Sequence, residues 1–234
     1  MDVPLFYRCS DPGFFLLFYQ KLFLKRTSCS YYKQEEKAMA RPPRICRPGL
    51  SYHVMSRCIE KKNALRPRSV KDLMMRVVSL ALDKYRFELV SYAIMDNHVH
   101  FTIRTLEEGP SISRIMQFIK SQFAQRYNRA YNRTGPFWNE RFTDSIIDHA
   151  SNPERYLLWL IWYLAYNPVR KGYAGDPRQY SYSSIRAYID QNYVSPVPIT
   201  LHSYFMNLGQ TFHERVKRFL LYEEAYRKRL ALMF

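Results

Sequence analysis

The chain has 234 residues, of which 47% are hydrophobic and 16% aromatic, so it can bury a core and is not expected to be disordered. Its 36 Lys and Arg residues outnumber its 20 Asp and Glu residues, which gives a formal net charge of +16. A domain this basic typically binds a polyanion, because each neutralised phosphate releases condensed counterions. Charge alone leaves three alternatives open: a basic surface that only aids solubility, a membrane-surface protein and a ribosome-associated protein.

The cysteines and the apolar runs indicate the cellular compartment in which the protein is expected to be found. The four cysteines show no CxxC spacing, which predicts neither a zinc site nor a disulfide framework and favours a reducing cytoplasm. The apolar run over residues 14–19 is too short to span a bilayer, and the N-terminus has no clear signal peptide. We therefore expect a cytoplasmic protein without a membrane partner.

Residues 1–38 differ from the rest of the chain because they show no sustained hydrophobic period. The Glu-Glu-Lys just before Met39 is what a purine-rich ribosome-binding site gives when it is translated in frame. The sequence therefore predicts that Met39 is the true start and that residues 1–38 are an annotation artefact. A short anchor is the alternative, and with it a membrane-surface protein that uses residues 12–24.

From Met39 onward, hydrophobic periodicity predicts elements in the order β-α-β-β-α-β-α. The predicted elements are a strand over 51–59, a helix capped by Ser69, two strands within 87–105 separated by Asp96-Asn97, a helix over 111–132, an extended segment over 137–148, and a helix that Asn152 caps and Pro168 stops. This order predicts an α+β domain, with an antiparallel sheet and helices packed on one side of it. We assign residues 39–187 to this domain and residues 188–234 to a C-terminal helical appendage.

His98 and His100 are the first candidates for chemistry. Residues i and i+2 of a strand share a face, so both imidazoles can chelate one cation. Taken alone, such a pair is more often part of a polar face or of the core. His53 also falls on a predicted strand but has no paired histidine, and is interpreted as structural.

Tyr163 and Asn167 form a second pair, at positions i and i+4 of one helical face. Asn167 precedes Pro168, which predicts that its side chain lies free at a frayed last turn. A phenol beside an amide oxygen and two imidazoles suits phosphodiester cleavage, with the phenol as nucleophile. The alternative is that Tyr163 belongs to a purely structural aromatic helix, together with its neighbours Tyr156, Trp159, Trp162 and Tyr166.

Several basic and aromatic residues are candidates for DNA contact. On the predicted helix over 111–132, arginines alternate with Tyr127 and Tyr131, a pattern that suits backbone contact and base stacking. A solvated helix face is an equally good interpretation. The candidates are Lys120, Arg126, Arg133, Trp138, Arg141, Arg170 and Lys171. The stretch over 211–230 is predicted to be a packing helix, with a grip on a DNA hairpin stem as the alternative.

Four motifs in order carry a family resemblance over residues 47–187. They are YHVMSR at 52–57, YAIMDNHVH at 92–100, FWNERF at 137–142 and YLLWLIWYLAYNPVRKG at 156–172, followed by YSYSS at 180–184. Together they resemble the single-tyrosine HUH transposases with an IS200-like domain. The branch associated with repetitive extragenic palindromes (REP) is the most similar.

The resemblance implies a role for each candidate site residue. The family's paired metal-binding histidines fall on His98 and His100, its nucleophile on Tyr163 and its third metal ligand on Asn167. Relatives often carry a glutamate between the last two positions, whereas this chain does not. The implied fold is the ferredoxin-like HUH nuclease architecture, often dimeric, with Mg²⁺ or Mn²⁺ as the ion.

The resemblance also implies an activity. It is a single-stranded DNA endonuclease and strand transferase that acts at hairpin or palindromic DNA through a 5′-phosphotyrosine intermediate. The alternative is a non-catalytic nucleic-acid-binding protein derived from such an element.

Overall fold

The structure is a computed structural model that describes residues 46–232. The predicted start at Met39 and the segment 12–24 lie outside the described residues. The strands are β1 (Ser51–Arg57), β2 (Phe87–Ile94), β3 (His98–Thr105) and β4 (Thr143–Ile146). The helices are α1 (Arg68–Lys84), α2 (Ile112–Ala130), α3 (Pro153–Arg170), α4 (Arg186–Ile189), α5 (Ser203–Met206) and α6 (Phe212–Ala231).

Over the described residues, the strands form a four-stranded sheet in the order β2-β3-β1-β4. Every neighbouring pair is antiparallel, and β1 lies between β3 and β4. Two βαβ halves with this strand order are the ferredoxin-like arrangement. The predicted α+β class and the antiparallel sheet are therefore confirmed.

One face of the sheet packs on α1 and α2. On β1 the side chains of Tyr52 and Val54 point to this face, and on β3 those of Phe101 and Ile103 do the same, because alternate residues of a strand share a face. The helices bring their apolar stripes to the same core, which includes Val70, Met74, Val77, Ile115, Ile119 and Phe123. This core leaves the histidines of β1 and β3 on the other face.

Helix α3 covers that other face, so the prediction that the helices lie on one side of the sheet is wrong. Strand β2 is buried on both faces, with Leu89 and Tyr92 in the first core and Val90 and Ala93 in a second one. A strand that is apolar on both faces needs cover on both. The second core contains Leu157 and other buried residues of α3.

Helix α6 packs along the outer side of α3. The Trp162 ring stacks on Phe219 with a centroid distance of 4.8 Å, and the indole Nε1–H donates to the Phe219 carbonyl at 3.0 Å. The Tyr226 ring lies against Trp159 and Tyr166. Thr211 and Glu214 form a capping box at the start of α6. This arrangement corresponds to the packing helix predicted for residues 211–230.

Two element boundaries differ from the prediction. Helix α1 begins at Arg68 after Pro67, and no side chain caps it, so Ser69 lies inside the helix instead of at its N-cap. The extended segment predicted over 137–148 contributes only four residues to the sheet, as β4. Phe137, Trp138 and Phe142 pack into the first core from the loop that precedes β4, which explains their apolar character without a strand.

Candidate active site

His98 and His100 lie side by side on β3, as the i, i+2 spacing predicts. Their ring centroids are 4.9 Å apart, with the ring planes at 82°. Burial is the largest cause that lowers the pKa of both imidazoles, to about 4 for His98 and well below its usual value for His100. Both rings are therefore neutral near pH 7, and a neutral imidazole keeps one nitrogen lone pair for a cation.

A hydrogen bond sets the tautomer of His98. Its Nδ1 lies 2.6 Å from Oδ1 of Asn97, and because an amide oxygen only accepts, Nδ1 carries the proton and donates. The Nε2 lone pair of His98 is then available. Asn97 belongs to the predicted turn before β3, so this turn orients the first imidazole of the pair.

His53 is the main site residue that the sequence interpretation missed. Its Nε2 lies 3.0 Å from Nδ1 of His100, and the two rings stack with a centroid distance of 5.2 Å. The interpretation of His53 as a histidine without a partner is wrong, because its partner lies on the neighbouring strand. In the β1–β3 register His53 faces Thr102, two residues beyond His100. Alternation along one strand cannot reveal such a cross-strand neighbour.

Helix α3 places Tyr163 over the histidine face. The Tyr163 ring is half-buried, and its centroid lies 6.3 Å from that of His100 with the ring planes at 85°. The helix reaches this position because Leu160, Ile161 and Leu164 are anchored in the second core. The nucleophile candidate and the two histidine candidates therefore meet within one chain.

Asn167 lies one turn further along α3, but not at a frayed end as predicted. The helix continues through Pro168 to Arg170, and Asn167 is only 9% exposed. Its side-chain Nδ2 is buried and has no hydrogen-bond partner. A buried amide donor without a partner is costly unless an acceptor such as a phosphate oxygen completes it, and the Oδ1 of the same amide is the atom that could bind a cation.

Gly172, not Pro168, ends α3. Gly172 has a φ of +70° and its N–H donates to the Val169 carbonyl, while the Tyr173 N–H donates to the Pro168 carbonyl. These two bonds form a Schellman motif, in which glycine adopts the left-handed conformation at low cost. The missing N–H of Pro168 removes only one bond from the last turns, so the helix tolerates it.

The residues at the site fit a divalent cation. Within residues 46–232, no group of three or more His, Cys, Asp or Glu side chains is arranged to hold a metal ion. The candidate set consists instead of two neutral imidazoles, His98 and His100, and the amide of Asn167. Imidazole nitrogens bind divalent first-row transition metals, while Mn²⁺ and Mg²⁺ also take oxygen ligands such as the amide and phosphate oxygens.

Three cationic side chains surround this set. Arg57 pairs with His98 across β1 and β3, and its buried Nε has no hydrogen-bond partner. Arg170 lies with its guanidinium carbon 6.0 Å from the centre of the Tyr163 ring. The charges of Arg57 and Lys171 both lower the pKa of His98 further, which places them close to it. Arg170 and Lys171 were predicted to contact DNA, whereas Arg57 was not singled out.

The predicted DNA contacts on α2 and just after its last residue lie away from the histidines. Helix α2 covers the opposite face of the sheet, so the structure does not bring Lys120, Arg126 and Arg133 to the candidate active site. Arg126 and Arg133 are exposed, and the Arg133 guanidinium lies 5.6 Å from the Tyr127 ring. That ring stacks on Tyr131 at 4.5 Å. These residues form a separate basic and aromatic surface.

Trp138 and Arg141 lie in the loop that precedes β4. The structure gives Trp138 a packing role: its ring is buried against Phe123 and Phe137, and its Nε1–H donates to the Lys120 carbonyl at 3.0 Å. The ring is therefore not presented to solvent for base stacking. Arg141 is exposed. The loop runs beside the active site, because the Asn139 N–H donates to the Arg57 carbonyl.

Comparison with known proteins agrees with the sequence motifs. Residues 46–157 match the model of the family described as IS200-like transposase. The match ends before Tyr163 and Asn167, so the assignment of these two residues depends on the helical spacing and on the geometry above. In the described residues, no helix is both long and apolar enough to cross a membrane.

One curated relative and two solved structures are similar to the chain. A putative REP-associated tyrosine transposase of Haemophilus influenzae is 26% identical over 111 residues, which are 44% of this chain and 61% of that protein. The structure of a REP-associated tyrosine transposase bound to a REP hairpin has a TM-score of 0.53 at 17% identity, over 70% of this chain and 94% of that one. A putative transposase of Deinococcus radiodurans R1 covers 52% of this chain and 94% of its own at 18% identity, and its TM-score of 0.35 is too low to indicate the fold.

Proposed function

We propose that the chain, whose residues 46–157 match the model of the IS200-like transposase family, cleaves and rejoins single-stranded DNA beside a hairpin. Tyr163 is the nucleophile, and His98, His100 and Asn167 hold a divalent cation. The observation that carries the proposal is the position of the Tyr163 ring, 6.3 Å from that of His100, on the face where two neutral imidazoles lie together.

The chemistry follows from the phenol and the groups around it. The Tyr163 Oη attacks the scissile phosphorus, an O–P bond forms, and the bond from phosphorus to the 3′ oxygen breaks. The phenol loses its proton, and the departing 3′ oxygen gains one to become a free hydroxyl. The 5′-phosphotyrosine keeps the phosphodiester energy, so a 3′-hydroxyl can reverse the reaction and reseal a strand. When bound, the cation polarises the phosphate and stabilises its developing charge.

The cationic side chains around the site are proposed to bind phosphates of the DNA substrate. Arg57, Arg170 and Lys171 lie around the tyrosine and the histidines, where they can neutralise phosphates on either side of the scissile one. A hairpin substrate is supported by the similar solved protein, which is bound to a REP hairpin. The excess of basic residues agrees with a nucleic acid as the partner.

The test is formation of a covalent adduct. Wild-type protein is incubated with Mn²⁺ or Mg²⁺ and a 3′-labelled single strand that contains a palindromic hairpin, and the products are separated on a denaturing gel. We expect a protein–DNA adduct from the wild type and none from Tyr163→Phe, which keeps the ring and loses only the hydroxyl. DNA binding by the variant is expected to persist in a gel-shift assay.

Tyr166→Phe is the matched control. It also removes a tyrosine hydroxyl from α3, but this hydroxyl donates to Glu223 and takes no part in the proposed reaction. The control is expected to form the adduct. An adduct that persists in Tyr163→Phe would refute the nucleophile assignment. A wild type that binds hairpin DNA tightly but never forms an adduct would instead support the non-catalytic alternative.

A further inference from the structure

We propose that His53 is a positioning residue that holds His100 in the one tautomer able to bind the divalent cation through Nε2. This inference rests on the proposed function, since it assumes that His100 is a metal ligand. It assigns a task to a side chain that the proposed cleavage reaction does not otherwise use.

The geometry joins the two rings through a single contact. Nε2 of His53 and Nδ1 of His100 are 3.0 Å apart, a hydrogen-bond distance, and the rings are nearly parallel at 17°. His53 is 8% exposed and His100 is 3% exposed, so water does not compete for this contact. The contact uses Nδ1 of His100 and leaves only Nε2 for another partner.

The position of the shared proton decides what His100 can do. If Nε2 of His53 carried it, Nδ1 of His100 would accept, and the neutral His100 ring would have to bear its own proton on Nε2. His100 would then have no lone pair for a cation. If Nδ1 of His100 donates to His53 instead, Nε2 of His100 is unprotonated and available. A histidine that binds a metal commonly donates its other N–H in this way.

The backbone around His53 supports a fixed position. His53 lies on β1, which pairs with β3 on one side and with β4 on the other. Both neighbouring strands hold its Cα, and the stacked His100 ring restricts its side chain. When His53 carries its own proton on Nδ1, its Nε2 is an acceptor in a fixed position and selects this tautomer of His100 before any metal binds.

Two substitutions distinguish the contribution of the hydrogen-bond acceptor of His53 from that of its ring. His53→Phe keeps a flat ring for the stack and removes the acceptor. His53→Gln places an amide oxygen at a similar distance from the backbone as the histidine Nε2 and can accept from Nδ1 of His100. We expect the affinity of the DNA-free protein for Mn²⁺, measured by electron paramagnetic resonance titration at constant pH, to fall by about 10- to 100-fold in His53→Phe. His53→Gln is expected to restore most of it.

A second readout reports the tautomer directly. In ¹⁵N-edited NMR of the metal-free wild type, His100 is expected to carry its proton on Nδ1, and in His53→Phe it is expected to populate both tautomers. Mn²⁺ affinity in His53→Phe equal to that of the wild type would overturn the proposal. So would a wild-type His100 that carries its proton on Nε2, or a wild type that does not bind Mn²⁺. If His53→Phe does not fold, judged by circular dichroism, the wild-type tautomer and His53→Gln decide the question.

These measurements contain no DNA, so their failure is distinguishable from failure of the proposed function. If the wild type forms no adduct and the His53→Phe variant binds Mn²⁺ more weakly than the wild type, the cleavage reaction is refuted and the assignment of His53 stands. If the wild type forms the adduct and the His53→Phe variant binds Mn²⁺ as tightly as the wild type, the cleavage reaction stands and the assignment of His53 is refuted.

Discussion

At the residue scale, we expect Arg57 to contact the proposed DNA substrate. It lies opposite His98 in the β1–β3 register, and its Nε is buried without a hydrogen-bond partner. A buried donor of a charged group is costly when it stays unsatisfied. The neighbouring imidazoles are neutral and offer no countercharge. A phosphate of the bound strand would satisfy the donor, and guanidinium groups bind phosphate oxygens with directional hydrogen bonds.

We predict that Arg57→Gln slows single-turnover DNA cleavage by roughly 10- to 100-fold, the usual effect of losing one hydrogen bond to a charged group. Arg57→Lys is expected to recover only part of the rate, since lysine keeps the charge and loses the guanidinium geometry. Cleavage rates at saturating hairpin DNA are the measurement. Arg76→Gln removes an exposed arginine from α1, on the opposite side of the sheet, and should cleave like the wild type. Equal rates for Arg57→Gln and Arg76→Gln would contradict the assignment.

How much of the site is predictable from sequence depends on which residues share an element. His98 and His100 are two apart on one strand, and Tyr163 and Asn167 are four apart on one helix, so local spacing already predicts their shared faces. The contact of His53 with His100 and the approach of Arg57 to His98 depend on the register between β1 and β3, which single-strand alternation does not determine.

At the element scale, α6 packs on α3 and supports the position of Tyr163, the proposed nucleophile. Phe219 is fully buried and stacks on Trp162, which is one residue away from Tyr163. Tyr226 packs against Trp159 and Tyr166 on the same helix. Since α3 carries both Tyr163 and Asn167, loss of this packing would disturb the proposed nucleophile and a metal ligand together.

Phe219→Ala is predicted to lower the free energy of unfolding by about 3–5 kcal/mol, because it removes buried apolar surface and leaves a cavity against Trp162. Urea denaturation followed by tryptophan fluorescence measures the change. Leu221→Ala, at a position on the same helix that is 60% exposed, is expected to change the free energy of unfolding by less than about 0.5 kcal/mol. Similar losses for the two variants would show that α6 does not share a core with α3.

The elements themselves were largely predictable, and the exceptions have physical causes. The order of strands and long helices follows from hydrophobic periodicity, and the predicted cap at Asn152 begins α3. Pro168 misled the prediction because a proline in the last turns of a helix removes only one hydrogen bond, and the Schellman motif at Gly172 ends α3 instead. The cover on the second face was missed because periodicity alone does not assign a helix to a face.

At the scale of the whole molecule, the sheet separates two basic surfaces. Arg57, Arg170 and Lys171 lie with the histidines on the α3 side, whereas the exposed Arg126 on α2 and Arg133 just after it lie on the other side. A hairpin with flanking single strand is long enough to touch more than one region of a small domain. We therefore expect the first surface to affect the reaction and the second to affect only affinity.

The double substitution Arg126→Gln with Arg133→Gln tests this division of roles. The slope of log affinity against log salt concentration is negative, and each lost phosphate contact reduces its magnitude by about 0.7 on a single strand. The magnitude is therefore expected to fall by about 1.4 in the double variant. The cleavage rate at saturating DNA is expected to stay at the wild-type value, because α2 lies on the face of the sheet opposite to Tyr163. Arg170→Gln, beside the Tyr163 ring, is the contrasting variant and should lower both the magnitude of the slope and the rate. A double variant with the wild-type slope would show that the basic face of α2 is simply solvated, and a reduced rate at saturation would show that α2 reaches the reacting strand.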